Sequence, residues 1–222
     1  MAELSRTERR RQQTHQALLQ AGYELIGEFG VSEWPISDLA DRADVALGSF
    51  YNHFADRDEI INELVKERVL ESHDRFVASR LPNADMPTRL AHRIAYLVDL
   101  AVSDRAHRRF TVAVGLGGDL YRPDINTQFG ANMNNALGEG LIDAGDLTFT
   151  LSALRGLMLS TYRHIDWMVN NRPDAMDVPQ LRREAVRMAL GIAGVPADRA
   201  RELVASVDDI EPVSSEDLVA SA

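Results

Sequence analysis

Three groups of residues in this chain have the types and spacing for chemistry, and each implies a different one. Glu59, Glu63, Glu67 and Glu71 recur every fourth residue, a row of carboxylates that invites a divalent cation. No histidine is interleaved with them, and a charge row of this kind is the ordinary solvated face of a helix. Gly115-Leu116-Gly117-Gly118 has the look of a phosphate cradle. No strand pattern precedes it and no Gly-Lys-Ser/Thr follows, so it meets neither nucleotide fingerprint and reads as a flexible connection. The third group is Ser49, Tyr51, Asn52 and His53, hydrogen-bonding side chains interleaved with Phe50 and Phe54. Apolar anchors four residues apart hold one side of a helix down and leave the polar set outward, the arrangement needed to meet base edges and phosphates in a duplex groove.

The remaining chemistry is narrow. There is no cysteine, which excludes disulfides, thiolate metal sites and cysteine nucleophiles together. The six histidines stand at 15, 53, 73, 92, 107 and 164, with no His-x-x-x-His or Glu-x-x-His pair to put two metal ligands on one helical face. With no Gly-x-Ser-x-Gly elbow and no cofactor motif either, the sequence is not that of an enzyme, and neither cofactor nor metal is expected. The chain has 222 residues, 45% hydrophobic and 26% charged, with a net charge of −10. That is enough for a globular core, at the boundary between one domain and two. The acidic balance, with a pI near 5.1, argues against broad nucleic-acid binding, because counterion release requires clustered cations. Arg6, Arg9, Arg10 and Arg11 are such a cluster, placed where a short arm can follow a phosphate backbone. No apolar run is long enough to span a bilayer, and the arginines are followed by polar residues rather than a signal region, so a cytoplasmic location is expected.

The elements that position the third group follow from periodicity. Leu18, Ala21, Leu25 and Phe29 predict a helix from about Thr7 to Phe29 with Gly30 as its C-terminal stop, preceded by a mobile stretch over residues 1–6. Ser37 is expected to cap a short helix to Ala43 with Leu39, Ala40 and Ala43 inward, Val45 to plug the turn, and a second helix to start at Leu47. This is a helix-turn-helix. Asp56 and Glu59 have capping-box spacing and open a further helix with Ile60, Ile61, Leu64, Val65 and Val69 inward and the acidic row pointing away from any duplex. Gly22, inside the first helix, implies a close packing contact.

The stretch 36–54 resembles the TetR (Tet repressor) family, whose Gly-x-x-Tyr-x-His-Phe signature stands here as Gly48-Ser49-Phe50-Tyr51-Asn52-His53-Phe54. Phe29-Gly30, Leu39-Ala40, Ala43 and Val45 fall at the matching spacing, and the match covers about residues 7–65. Two positions depart from the family pattern. Asp44 stands where a turn glycine is usual, at a position that tends to need a left-handed backbone, and Leu47 and Ala55 stand where lysine or arginine is frequent. The resemblance implies double-stranded DNA as partner, contacted by Arg10, Arg11, Ser37, Leu47, Gly48, Ser49, Tyr51, Asn52, His53 and Arg57. It also implies a homodimer on a palindromic operator, acting as a repressor that a small-molecule effector releases. The alternative is an all-α small-molecule-binding protein or enzyme that retards no DNA.

Beyond about residue 75 the resemblance is architectural only. Leu81-Pro82-Asn83-Ala84-Asp85-Met86-Pro87 is the expected domain break. Thr88 is expected to cap a helix carrying Leu90, Ile94, Leu97, Val98 and Ala101, followed by helices over 106–114 and from Tyr121 to about Asp143. Asp146 caps a helix to about Asn171 that is apolar on more than one face, and Pro179 opens one with Leu181, Ala185, Met188, Ala189 and Ile192 inward against Arg182, Arg183 and Arg187 outward. These two helices, 146–171 and 179–192, are the expected self-association surface. The whole reads as all-α: an arm and helix-turn-helix head over 1–55, a connecting helix over 56–80, a helical ligand-binding and dimerisation domain over 88–207, and an acidic disordered tail over 208–222. Candidates for contact with a largely apolar effector are Tyr96, Phe110, Phe129, Met133, Met158 and Tyr162, with Arg155 and His164 as polar groups set in the most apolar helix.

Overall fold

The computed structural model describes residues 5–32, 34–71, 77–115 and 128–211. Among them every regular element is helical, and none of the helices is long and apolar enough to cross a membrane. The described residues fall into two compact units: residues up to Val69 with Arg109–Gly115, and Leu70–Arg108 with 128–211. The Leu81–Pro87 break thus lies inside the second unit. The expected loop at 116–118, the helix start at 121–127 and most of the tail expected from 208 lie outside the described residues; its first residues are ordered instead, Asp208 and Asp209 closing a 3-10 turn over Val207–Asp209 with Asp208 paired to Arg183.

In the first unit α1 (Arg6–Phe29), α2 (Ile36–Arg42), α3 (Leu47–Tyr51) and α4 (Arg57–Val65) close around one core. Leu18, Leu19, Leu25 and Ile26 of α1 meet Leu39, Phe50, Phe54, Ile60, Ile61 and Leu64, joined by Phe110 and Val114. Leu19 and Ile26 widen the apolar stripe of α1, while Phe29, expected inside, is 47% exposed. Gly22 earns its place as expected: a Cβ there would stand 3.2 Å from Leu64 Cδ1 and 3.3 Å from Ile60 Cδ1. A helix begins sooner than expected at residues 5 and 6, because Ser5 and Glu8 form a reciprocal capping box. Gly30 ends α1 with φ 81° and its N–H on the Ile26 carbonyl. Asp56 caps α4 through the Glu59 N–H, but Glu59 returns to the N–H of Ala55. After Val65 the helix continues in π-helical form over Lys66–Glu71.

The second unit contains α5 (Met86–Ser103), α7 (Gln128–Gly138), α8 (Leu147–Asn171), α9 (Val178–Ile192) and α10 (Ala197–Ser206); α6 (Arg105–Gly115) contributes its residues to Arg108. The cap of α5 is Asp85, which accepts from the Thr88 N–H, so Thr88 receives the cap rather than making it. α7 stops at Gly138, five residues before the expected end, because Gly140 takes φ 72° and the Leu141 N–H closes on the Ala136 carbonyl. α8 starts where expected, with Asp146 accepting from Phe149 N–H.

α9 corrects the expected orientation of two residues. Met188 is 40% exposed, whereas Arg182, expected outward, is buried to 6% and its guanidinium lies 2.5 Å from the equally buried Asp99 of α5. The same guanidinium donates to the carbonyls of Val207 and Ile210. Position within an amphipathic helix is read from charge only when no countercharge waits in the core. A second buried cation, Arg108, pairs with Asp166 at 3.0 Å and donates to the Ala101 carbonyl. Each guanidinium therefore enters the interior with its donors directed at a carboxylate and at carbonyls, which offsets the desolvation cost.

Candidate nucleic-acid interface

The candidate face is built by the turn between α2 and α3. Val45 N–H closes on Ala40 O at 3.0 Å and Asp44 N–H on Asp41 O at 3.1 Å, the paired bonds of a Schellman turn. That geometry places Asp44 at φ 54°, the single non-glycine residue with positive φ among the described residues. The expectation for this position is met, and an aspartate tolerates it because its short polar side chain costs less there than a branched one. α2 begins at Ile36 after Pro35, which offers no side-chain cap; Ser37 does not cap the helix, and its hydroxyl sits 3.3 Å from Asp38 Oδ1 on the surface.

Of the residues expected to meet DNA, Leu47 is 47% and Tyr51 57% exposed, one helical turn apart. Gly48 and Asn52 are exposed with them and Ser49 is half-buried. Phe50 and Phe54 are both buried beneath, with ring centroids 5.6 Å apart, as the anchors they were expected to be. Nothing in the protein requires a glycine at 48: it is helical, and an added Cβ would meet nothing within 4 Å.

Two expected contacts have other partners. Arg57 is turned inward, donating to the Ser32 and Trp34 carbonyls and lying 4.7 Å over the Trp34 ring. It ties the start of α4 to the loop after α1. His53 is half-buried rather than outward, 5.4 Å from the His15 ring, which itself stacks on Phe54 at 5.0 Å. His15 closes the cluster through a 2.6 Å hydrogen bond to Glu63 of α4. The carboxylate row is thus not uniformly turned to solvent; sequence spacing showed the row but not the imidazole that meets it from α1. Burial, then the nearby His15 and Arg11 charges, hold the His53 imidazole below the ordinary histidine range against the opposing pull of Glu63.

Arg6, Arg9, Arg10 and Arg11 are all exposed in the first two turns of α1. Cations at a helix N-terminus oppose its dipole, each by about 0.3–1 kcal/mol, so they are not placed there to stabilise α1. An external polyanion fits them. Arg42, at the end of α2, is held at the other end of α1 by Glu28 at 2.8 Å.

In the second unit Tyr96, Met133 and Tyr162 are buried, and His107 lies 5.9 Å from the Tyr162 ring. Phe129 is half-buried under Arg93, 4.6 Å from its ring, and Met158 and Arg155 are half-buried. Two effector candidates are placed elsewhere. Phe110 belongs to the core of the first unit, 4.8 Å from Tyr23, and His164 is exposed on α8. No group of three metal-ligating side chains occurs among the described residues.

Comparison with known proteins agrees with this architecture. Residues 18–64 match the family described as bacterial regulatory proteins, tetR family. No curated protein matches the chain in sequence. Solved structures share the fold: RolR bound to resorcinol (19% identity, 88% of this chain and 95% of that one, TM-score 0.62); NalD of Pseudomonas aeruginosa, the secondary repressor of the MexAB-OprM multidrug efflux pump (20%, 85% and 98%, 0.56); and FadR of Bacillus subtilis with stearoyl-CoA (18%, 82% and 99%, 0.55). The family match thus covers the helix-turn-helix head, and beyond it the likeness to these solved structures is one of fold.

Proposed function

We propose that this protein is a dimeric, effector-released repressor that binds a palindromic operator in the cytoplasm. The observation that carries the DNA reading is the face Leu47, Gly48, Tyr51 and Asn52, exposed above the buried Phe50 and Phe54 on the second helix of a helix-turn-helix. Arg10 and Arg11 supply phosphate contacts beside it, with Ser37 and Ser49 at its edge; Arg57 supports the head from within.

The dimer is supported by α8. Phe149 (74% exposed) and Trp167 (52%) lie on one helical stripe with the exposed Gly156 and Ser160 between them. In two antiparallel copies crossing near residue 158, Phe149 meets the Trp167 of the second copy, and Gly156 meets Ser160. Small residues at the centre let the backbones approach, aromatic residues at both ends bury the largest area, and Met188 of α9 extends the surface. Two identical heads on successive major grooves require a separation of about 34–36 Å, so a small change in that separation abolishes simultaneous binding. A near-complete switch requires the effector to favour the released state by about 5.5 kcal/mol. Tyr96, Met133 and Tyr162, with Phe129, Met158 and Arg155 at the margin, are the proposed contacts for a small, largely apolar effector.

Selection of duplexes from a randomised pool tests the reading. A recovered palindrome, bound by wild type and lost in Tyr51→Ala with an unchanged melting temperature, supports it. Failure to retard any duplex at low salt would leave a ligand-binding protein without DNA. Sedimentation of Trp167→Glu, expected to be monomeric against a dimeric wild type, tests the interface separately.

A further inference from the structure

We infer that α3 reads thymine, with Leu47 as the specificity-determining residue that packs on the thymine C5-methyl, so that operator half-sites are A·T at the base pairs this face covers. The inference rests on the DNA-binding reading above and adds to it the base that is recognised.

Three observations carry it. Leu47 and Tyr51 are two of the three large hydrophobic residues found exposed among the described residues of the first unit, and they lie one turn apart on the same short helix. Exposed apolar side chains are common singly, but here both members of the pair stay exposed while Phe50 between them is fully buried as the anchor, so they lie on the side of α3 where a groove is to be met. Second, the stretch 43–56 contains neither lysine nor arginine. The flanking arginines are engaged within the protein, Arg42 with Glu28 at 2.8 Å and Arg57 with the Ser32 and Trp34 carbonyls. The commonest guanine contact, a bidentate cation on O6 and N7, therefore has no donor on this face. Third, Gly48 beside Leu47 has open space around it and no internal reason to lack a side chain. A glycine there lets the helix backbone come close to a partner, which brings the short Leu47 side chain within reach of the groove floor.

What a major groove offers to an apolar side chain is the thymine methyl, which projects from C5 and is absent from the other three bases. Burying one methyl against leucine corresponds to about a fourfold gain in affinity. Two half-sites in a symmetric complex multiply this to roughly fifteenfold.

The test uses duplexes recovered from a randomised pool, resynthesised with deoxyuridine replacing thymidine one position at a time and measured by fluorescence anisotropy. Deoxyuridine keeps base pairing and removes only the methyl. Wild type is expected to lose about fourfold for substitution in one half-site and roughly fifteenfold for the symmetric pair, at one or two positions. Leu47→Ala is expected to bind thymine and uracil duplexes alike, with the melting temperature of the wild type because the side chain is exposed; Leu47→Met is expected to retain the discrimination. Palindromes that are bound tightly yet are G·C under α3, or are indifferent to uracil, overturn this inference and leave DNA binding standing. Retained discrimination in Leu47→Ala assigns the contact to another residue and overturns it as well. A pool from which nothing is recovered removes both readings together.

Discussion

Gly48→Ala is expected to move stability and DNA affinity in opposite directions. Inside a helix, alanine is favoured over glycine by about 0.5–1 kcal/mol, because glycine loses more backbone freedom on folding. That gain is normally reduced by crowding, but a Cβ at 48 meets no atom within 4 Å, so the structure subtracts nothing from it. On the operator the same methyl enters the space between α3 and the duplex. Overpacking of a close interface costs at least about 1 kcal/mol per site, and a symmetric complex doubles it, giving a loss of roughly thirtyfold in affinity. Denaturant midpoints and operator titrations on the same preparation read both terms. Raised stability with unchanged affinity would refute the reasoning, since it would mean that no partner approaches Gly48 closely. Lowered stability would mean that α3 is not helical at this position.

Asp44→Gly relieves the positive φ of 54°, and removes a carboxylate from the turn; operator binding is expected to tighten chiefly at low salt, with stability unchanged or raised by up to about 1 kcal/mol because the gain is offset by glycine's freedom in the unfolded chain. A fall in affinity at every salt concentration with the fold intact would show that Asp44 makes a favourable contact of its own. Arg182→Met leaves Asp99 buried without its guanidinium and is expected to cost about 3–5 kcal/mol in urea unfolding, while the double variant with Asp99→Leu recovers most of the loss; a single variant as stable as wild type would refute the assigned burial. Because the His53 value lies below the ordinary 6.5, the unfolded chain takes up that proton first as the pH falls. Stability of the head is then complete above 6.5 and declines toward the lowered folded value. Melting scans should show this decline in wild type and a flatter profile in His53→Gln, and equal slopes would exclude His53 as its source.

The head was legible because its signals are local. Phe50 and Phe54 at i, i+4, Gly30 after the last apolar residue of α1, and Asp56 three residues before Glu59 each act over one helical turn, and each is found doing so. Even the departure at Asp44 was readable, since a turn of this kind constrains the backbone whatever residue fills it. What escaped was long-range pairing. Arg57 carries the charge expected of a phosphate contact, and nothing near it in sequence reveals that the carbonyls of Ser32 and Trp34 take up its donors. His53 sits in a signature that suggests an outward imidazole, yet His15, 38 positions earlier in the chain, comes within 5.4 Å of it.

The same distinction explains the second unit, where Arg182 and Asp99 lie 83 residues apart in sequence. On its own helix Arg182 is flanked by Arg183, which pairs with Asp208 on the surface at 2.9 Å, and the two are indistinguishable by type. Only the helical phase separates them: Arg182 shares the stripe of Ala185, Val186 and Ala189, all buried. Phase should therefore outrank charge when an arginine falls on an apolar stripe, provided that another helix carries an acid on its own apolar face. Asp99 meets that condition, standing between Val98 and Leu100 within the most continuously buried run of α5. A buried pair of this kind adds little net stability over an apolar one, but it penalises every packing in which the two helices slip out of register. In a unit built from apolar stripes that match one another in many registers, that penalty fixes how α5 and α9 pair, and with them the face that α9 leaves exposed at Met188.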